Sequence, residues 1–294
     1  MSTAMDLTLP GNVVDGDWLQ ARLEHPDLRI VDATVVLDPS SWEANSGRAR
    51  YEQGHIPGAT FVDLIAELSD PAGDEGLPEG VHAYQLPPAE QVAAALARHG
   101  IGDATTVIAY DTAGGMWAAR LWWTLRVLGH EQVAVLDGGW ERWRAQGRPQ
   151  TTAEPRIAPA SPLTPRWQPG LYASKEDVTR AIDDQGTVLV NALWPEQFRG
   201  EVPLERPGRI PGSVNVPFSD VLDDDGTLRD LDALRARFAA EGVDEGAKAI
   251  TYCGGGIAAS LGALALAELG VDVALYDGSL TEWTADPQAP LETG

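Results

Sequence analysis

One segment of this chain stands out for what its residue types could do: Ala249-Ile-Thr-Tyr-Cys-Gly-Gly-Gly-Ile-Ala-Ala-Ser260. It holds Cys253, the one cysteine among 294 residues. A strand-like run ends at Tyr252, three glycines follow the cysteine, and an alanine-rich helical stretch begins at Ile257. Such an order puts a sulfur at the carboxyl edge of a sheet, facing a helix N-terminus. Open α/β sheets bind ligands at that edge. The helix N-terminus favours an anion, and the thiolate, not the thiol, is the nucleophile. Gly254, Gly255 and Gly256 have no side chains to block approach, and their N–H groups can curl into an anion-binding nest. A persulfide held there would have its terminal sulfur surrounded by donors. A merely structural, buried cysteine requires no glycine run beside it.

Composition narrows the classes of partner. The formal charge of -23 repels nucleic acid and anionic membrane surfaces, so neither is expected. It serves solubility, and a small anion could bind only where local donors outweigh the global field. No run approaches the roughly 18 apolar residues of a membrane span. Met1 to Asn12 shows no basic start and no apolar core of a signal peptide. A single cysteine forms no internal disulfide, which makes a reducing cytoplasm the expected compartment.

The elements that must position Cys253 come from a chain that repeats itself once. Leu28-Arg-Ile-Val-Asp-Ala33 is echoed by Val188-Leu-Val-Asn-Ala192, and Gly54-His-Ile-Pro-Gly-Ala59 by Gly208-Arg-Ile-Pro-Gly-Ser213. Val107-Ile-Ala-Tyr-Asp111 is echoed by Ala249-Ile-Thr-Tyr-Cys253, and Val135-Leu-Asp-Gly-Gly-Trp140 by Leu275-Tyr-Asp-Gly-Ser-Leu280. Four matches in one order, roughly 140 to 160 residues apart, imply a duplicated domain. Asp111 takes the cysteine's place in the first copy, and a carboxylate does no thiolate chemistry, so one active site per chain is expected.

The spacing predicts strands at 29–33, 106–110 and 132–136, with helices at 88–99 and 116–128 stopped by Gly100 and Gly129. The second copy predicts strands at 188–192, 249–252 and 273–276 and helices at 230–241 and 257–269. The fold class is therefore α/β, two domains, each a mostly parallel sheet flanked by helices on both faces. Domain boundaries are expected at 1–146 and 170–294. Between them, Gly147 to Pro169 carries six prolines and reads as an extended linker along the surface.

These motifs together resemble the tandem-domain rhodanese family of thiosulfate and 3-mercaptopyruvate sulfurtransferases. Tyr51-Glu-Gln-Gly-His-Ile-Pro-Gly-Ala59, Ala118 to Arg126 and Leu136-Asp-Gly-Gly-Trp-Glu-Arg-Trp143 are similar to its first domain. Phe198-Arg-Gly200, Gly208 to Pro217, Tyr252-Cys253 and Asp277-Gly278-Ser279 match its second in order. The resemblance implies rhodanese-like domains, the N-terminal one inactive and the C-terminal one catalytic. It implies a cycle in which Cys253 takes a sulfane sulfur from a small anionic donor, becomes a persulfide, and yields the sulfur to a thiol or cyanide. It implies neither metal nor organic cofactor.

The resemblance also implies a binding set: the loop Gly254, Gly255, Gly256, Ile257 and Ala258, with Arg206, Gln197, Arg199, Arg209 and Asp63. Departures lie within it. Thiosulfate users carry basic residues directly after the cysteine, where Gly254 and Gly255 stand. The mercaptopyruvate type reads Cys-Gly-Ser-Gly-Val-Thr, so Gly255 and Ala258 lack both hydroxyls. Gln197 stands in place of a donor-binding arginine and has no charge. Arg206 matches a second such arginine, Arg209 replaces a histidine, and Asn191 replaces an aspartate. His55 is expected to hold a turn, and Trp122, Trp123, Trp140, Trp143 and Trp283 to pack in cores. The losses raise an alternative, a non-turnover sulfur-binding or regulatory module. A cysteine phosphatase is not expected: it needs an arginine soon after the cysteine, and Gly254 to Asp272 holds neither Arg nor Lys.

Overall fold

The computed structural model describes residues 6–38, 43–74, 83–244 and 246–294. The first five residues of the segment expected to lack leader features lie outside the described residues. The chain divides into two compact units, the first holding most of the chain up to Gln168 and the second most of it from Pro169.

In the first unit the order is β1 (Val13–Val14), α1 (Gly16–Gln20), β2 (Leu28–Asp32), β3 (Val35–Leu37), β4 (Ala44–Ser46), α2 (Arg48–Gln53), β5 (Ala59–Phe61) and α3 (Leu64–Leu68). Then come α4 (Ala89–Arg98), β6 (Thr106–Tyr110), α5 (Met116–Val127), β7 (Val133–Leu136) and α6 (Gly139–Ala145). The main sheet is parallel throughout, with strand order β1-β7-β6-β2-β5. β3 and β4 pair antiparallel beside it. The strands read as continuous apolar runs because helices cover the sheet, and β6 is buried at all five positions. Gly100 and Gly129 end α4 and α5 with φ of +72° and +81°, the left-handed stop expected of them. Gly129 has a second constraint, since a Cβ there would lie 2.6 Å from the Arg166 carbonyl oxygen.

That contact belongs to the proline-rich stretch, which carries no helix and follows the first unit. Thr151 pairs with His55 as an antiparallel bridge, and the N–H groups of Ala160, Arg166 and Gln168 donate to Ala97, Leu128 and Val127. His55 is wholly buried, its ring stacked 3.8 Å from that of Tyr51, with Nδ1 at 2.8 Å from the Tyr51 carbonyl and Nε2 at 3.2 Å from that of Ala153. It holds a turn, as its sequence context suggests.

The second unit repeats the plan: β8 (Tyr172–Ala173), α7 (Lys175–Ala181), β9 (Thr187–Asn191), α8 (Pro195–Phe198), β10 (Val214–Asn215), α9 (Leu231–Ala239), β11 (Lys248–Tyr252), α10 (Ile257–Glu268), β12 (Asp272–Tyr276) and α11 (Ser279–Ala285). Its parallel sheet runs β8-β12-β11-β9-β10, the order of the first unit position by position. Each unit closes around its own core. Ile30, Ile108, Tyr110 and Leu136 anchor the first, and Leu189, Tyr252, Tyr276 and Trp283 the second. At about 1.5–3 kcal/mol per large apolar side chain buried, each set is enough to hold its loops in place. All five tryptophans named above are buried. Among the described residues no helix is long and apolar enough to cross a membrane.

Candidate active site

Cys253 follows β11 directly, at the carboxyl end of the central strand of its sheet. The chain turns through Gly254 and Gly255 to Gly256, whose φ of +80° caps α10. A side chain would strain that left-handed turn, so glycine belongs there. Ser260, one turn into α10, donates to the Gly256 carbonyl and secures the cap. As a residue Cys253 is 2% exposed, while Gly254 and Gly255 are partly open. A Cβ on Gly254 would meet nothing within 4 Å, so the approach to the loop lies there. The first turn of α10 offers N–H groups that have no acceptor within the helix.

The first unit shows what such a loop holds. Asp111 follows β6 as Cys253 follows β11, and Gly115, with φ of +87°, caps α5. Its carboxylate accepts four backbone N–H groups: Oδ1 from Ala113 (2.7 Å) and Gly115 (2.9 Å), Oδ2 from Trp117 and Ala118 (both 2.8 Å). Burial raises its pKa, and the four amides oppose that shift. The loop is thus an anion nest closed by its own side chain. Asp111 reaches it through Cβ, Cγ and Oδ, a path with as many atoms as the Cβ, Sγ and outer sulfur of a persulfide. The loop of Cys253 is one residue shorter before its helix.

The backbone of Cys253 is fixed from β12 and α11. Ser279 Oγ accepts the Cys253 N–H at 3.2 Å and donates to the Tyr276 carbonyl at 2.8 Å. The carbonyl of Cys253 accepts from Leu280 N–H, and that of Gly254 from the N–H and hydroxyl of Thr281. Ser279 has a φ of +48°, rare for a residue with a side chain. Ser279 and Thr281 were given no role by the sequence, although one signal was present: Ser279 stands where the first copy has Gly139.

The binding candidates disperse. Gly254 to Ala258 form the loop and the start of α10. Arg206 is spent on three backbone carbonyls, those of Thr284, Asp286 and Ala289. Arg199 is ion-paired with Glu201 at 2.8 Å. Arg209 lies over the Phe198 ring at 4.5 Å and donates to the Gly294 carbonyl. Arg199 and Arg209 line, with Trp194, Asn215 and Arg237, a cavity of about 620 Å³ that does not include Cys253 in its walls. Gln197 lies in α8, partly exposed. Asp63 belongs to the other unit, where it caps α3 by accepting the N–H groups of Ile65 and Ala66, each at 3.1 Å. Among the described residues no cluster of His, Cys, Asp and Glu could hold a metal ion.

Known proteins share this architecture. A family model of the Rhodanese-like domain matches residues 15–146 and 174–286. The human 3-mercaptopyruvate sulfurtransferase is 33% identical over 295 residues, covering 96% of this chain and 95% of that protein. The mitochondrial thiosulfate/3-mercaptopyruvate sulfurtransferase 1 of Arabidopsis thaliana is 35% identical, over 96% of this chain and 78% of its own length. The crystal structure of SseA from Escherichia coli, a 3-mercaptopyruvate sulfotransferase, superposes with a TM-score of 0.80 at 32% identity, covering 92% of this chain and 98% of SseA.

Proposed function

The chain belongs to the rhodanese family and is a sulfurtransferase of the thiosulfate/3-mercaptopyruvate type, and we propose that it works through a persulfide on Cys253 in the C-terminal unit. The observation that supports this most is the filled nest of Asp111, since the same strand–loop–helix in the second unit presents a sulfur where the first presents a carboxylate.

The Sγ thiolate of Cys253 attacks the outer sulfur of a small anionic donor. An S–S bond forms, and the bond from that sulfur to the donor breaks, its electron pair leaving with the donor. Thiosulfate then departs as sulfite, while 3-mercaptopyruvate departs as an enolate that takes a proton to become pyruvate. The outer sulfur, now anionic, faces the loop amides and the first turn of α10. A thiol or cyanide attacks it and restores the thiolate. Dividing one transfer into two steps is ordinary covalent catalysis. The loop supplies electrostatic stabilisation by fixed backbone dipoles, which needs no side chain at Gly254 or Gly255. The cycle as written calls on no metal or organic cofactor, and a cytoplasmic setting, which would keep the thiol reduced, suits this chemistry.

A second reading, a sulfur-binding or regulatory module without turnover, draws on one observation: Arg199, Arg206 and Arg209 are all engaged within the protein, and Gln197 carries no charge. Intact-mass measurement separates the two. With either donor, the first reading expects a rapid gain of one sulfur atom, lost again on adding cyanide or a thiol through repeated cycles. A gain without turnover would favour the second. Cys253→Ser is expected to abolish loading and transfer while keeping the fold, and substantial residual transfer would overturn the assignment.

A further inference from the structure

Backbone amides stabilise an anion most when they are already aimed at it before it forms. In the first unit the side chain itself does the aiming. Ala113, the second residue after β6 and Asp111 are joined through the Ala113 N–H and Asp111 Oδ1 at 2.7 Å, so the carboxylate holds the loop around it. In the second unit the matching place is Gly255, inside a run of three glycines. Glycine has the widest backbone freedom of any residue, so such a run needs fixing from outside.

The start of α11 supplies that fixing. A trans peptide is flat, and its N–H points opposite to its C=O. Pinning one carbonyl therefore aims the N–H of the next residue. The Cys253 carbonyl accepts the Leu280 N–H at 3.0 Å, which turns the Gly254 N–H away from α11. The Gly254 carbonyl accepts two donors from Thr281, its N–H and its hydroxyl, each at 2.9 Å, and this turns the Gly255 N–H away as well. Neither of these two N–H groups meets an acceptor among the described residues. The sulfur belongs to that same far side. Ile250 and Tyr252 share a core with Trp283 of α11, whereas Thr251 faces α10, its Cγ2 3.7 Å from where a Cβ on Gly262 would lie. Strand alternation then carries Cys253 to the α10 side.

The first unit has one half of this clamp. The Asp111 carbonyl accepts the Trp140 N–H at 2.9 Å, the counterpart of the Leu280 bond. In the place of Thr281 stands Glu141, whose carboxylate is turned to Arg50 at 3.2 Å and Arg144 at 2.7 Å. A loop that closes on its own carboxylate has no use for a hydroxyl there.

We propose that Thr281 is a positioning residue of the Cys253 site: by holding the Gly254 carbonyl with its hydroxyl, it aims the Gly255 N–H at the sulfur anion. This deepens the persulfide reading and rests on Cys253 being the sulfur carrier. The titratable groups on the elements around the loop are Tyr252 on its own strand, Asp277 after β12, Glu282 in α11 and Asp220 in the turn packed on α10. The first turn of α10 carries none. All of these stay constant in the variants below, so a difference reports position 281.

The test follows carbamidomethylation of the full chain by iodoacetamide, read by mass spectrometry across pH about 5 to 10, a range spanning thiol ionisation. A single cysteine makes the signal unambiguous. Thr281→Val keeps the shape and the N–H bond but loses the hydroxyl. It is expected to move the midpoint up by about half a pH unit, slowing alkylation near neutrality about threefold, because the thiolate loses part of a hydrogen bond that favours it. Thr281→Ser keeps the hydroxyl and is expected to follow the unsubstituted protein. Melting curves of each variant fix a temperature at which all are folded. An unshifted midpoint in the Val variant, or an equal shift in the Ser variant, would overturn the proposal. The unsubstituted protein is also incubated with thiosulfate and with 3-mercaptopyruvate. If Cys253 gains no sulfur from either, the carrier reading fails, whereas the alkylation curves still decide the role of Thr281.

Discussion

The two units carry one loop in two chemical states. After β6, a carboxylate fills its own nest and four amides are satisfied from within the chain. After β11, the equivalent residue is a cysteine, followed by a helix whose first turn offers N–H groups with no acceptor within the helix. Around that central difference three others line up: Asn191 for Asp32, Ser213 for Ala59 and Ser279 for Gly139. On the mechanism proposed, the comparison teaches that the first unit spends its anion site on stability and the second would hold its anion site open for chemistry. Polar groups that the first copy keeps charged are neutral in the second, and the backbone of the cysteine gains a side-chain acceptor that Asp111 has no need of.

The largest effect should come from breaking the closed nest. Asp111→Asn keeps the shape of the side chain but turns one oxygen into a donor, so two of the four amide N–H groups face an N–H instead of an acceptor. Leaving such buried groups unsatisfied costs roughly 3 kcal/mol. The unfolding transition of the first unit should fall by roughly 6–12 °C in a calorimetric scan, on the usual scaling for a unit of this size. A transition at the unsubstituted temperature would mean that the carboxylate is not what holds this loop together.

A smaller effect separates the two residues that follow the DG pair. Gly139 leaves no room for a side chain, since a Cβ there would lie 2.5 Å from the Asp111 carbonyl oxygen. Ser279 occupies the matching place with φ of +48° and turns the cost to use, because its hydroxyl takes the Cys253 N–H. Ser279→Ala keeps the strained backbone and loses both hydroxyl bonds, an expected loss of about 1–2 kcal/mol. Ser279→Gly loses the same bonds but relieves about 1 kcal/mol of left-handed strain, and should melt above the alanine variant. The reverse order of melting temperatures would show that the backbone at Ser279 is unstrained.

Much of this was legible before any coordinates. Strand and helix positions followed from apolar runs and glycine stops, and the repeat of four motifs anticipated two sheets of one strand order. Cys253 could be singled out because its chemistry is local: a strand end, a glycine run and a helix start are contiguous in sequence. The partners that came from far along the chain were not legible. Ser279 reaches Cys253 from the end of the neighbouring strand, 26 positions on, and the Tyr252–Ser213 bond spans 39 positions. Very short strands such as β1, β8 and β10 have too few residues for a period to show. The arginines expected to serve a donor illustrate the same limit, for motif position named them while only the fold reveals that Arg206 is bonded to three carbonyls.

The smallest effect is the one that tests whether the buried charge at the end of β2 is a burden to the first unit. Burial raises the pKa of Asp32, Thr34 and Tyr110 lower it less, and the nearby Asp111 raises it further. The folded state therefore binds this proton more tightly than the unfolded state does. Stability contributed by the protonated form is complete below the unfolded value, near 3.8, and is lost as pH rises through the higher folded value. At pH 7 the ionised Asp32 thus opposes folding, and Asp32→Asn should raise the melting temperature. As pH is lowered the advantage should shrink, closing as the unsubstituted protein takes up its proton. Melting curves of the two proteins from neutral to acidic pH check this. A variant less stable at pH 7 would mean that the carboxylate's bonds to Thr34 and Tyr110 outweigh its burial.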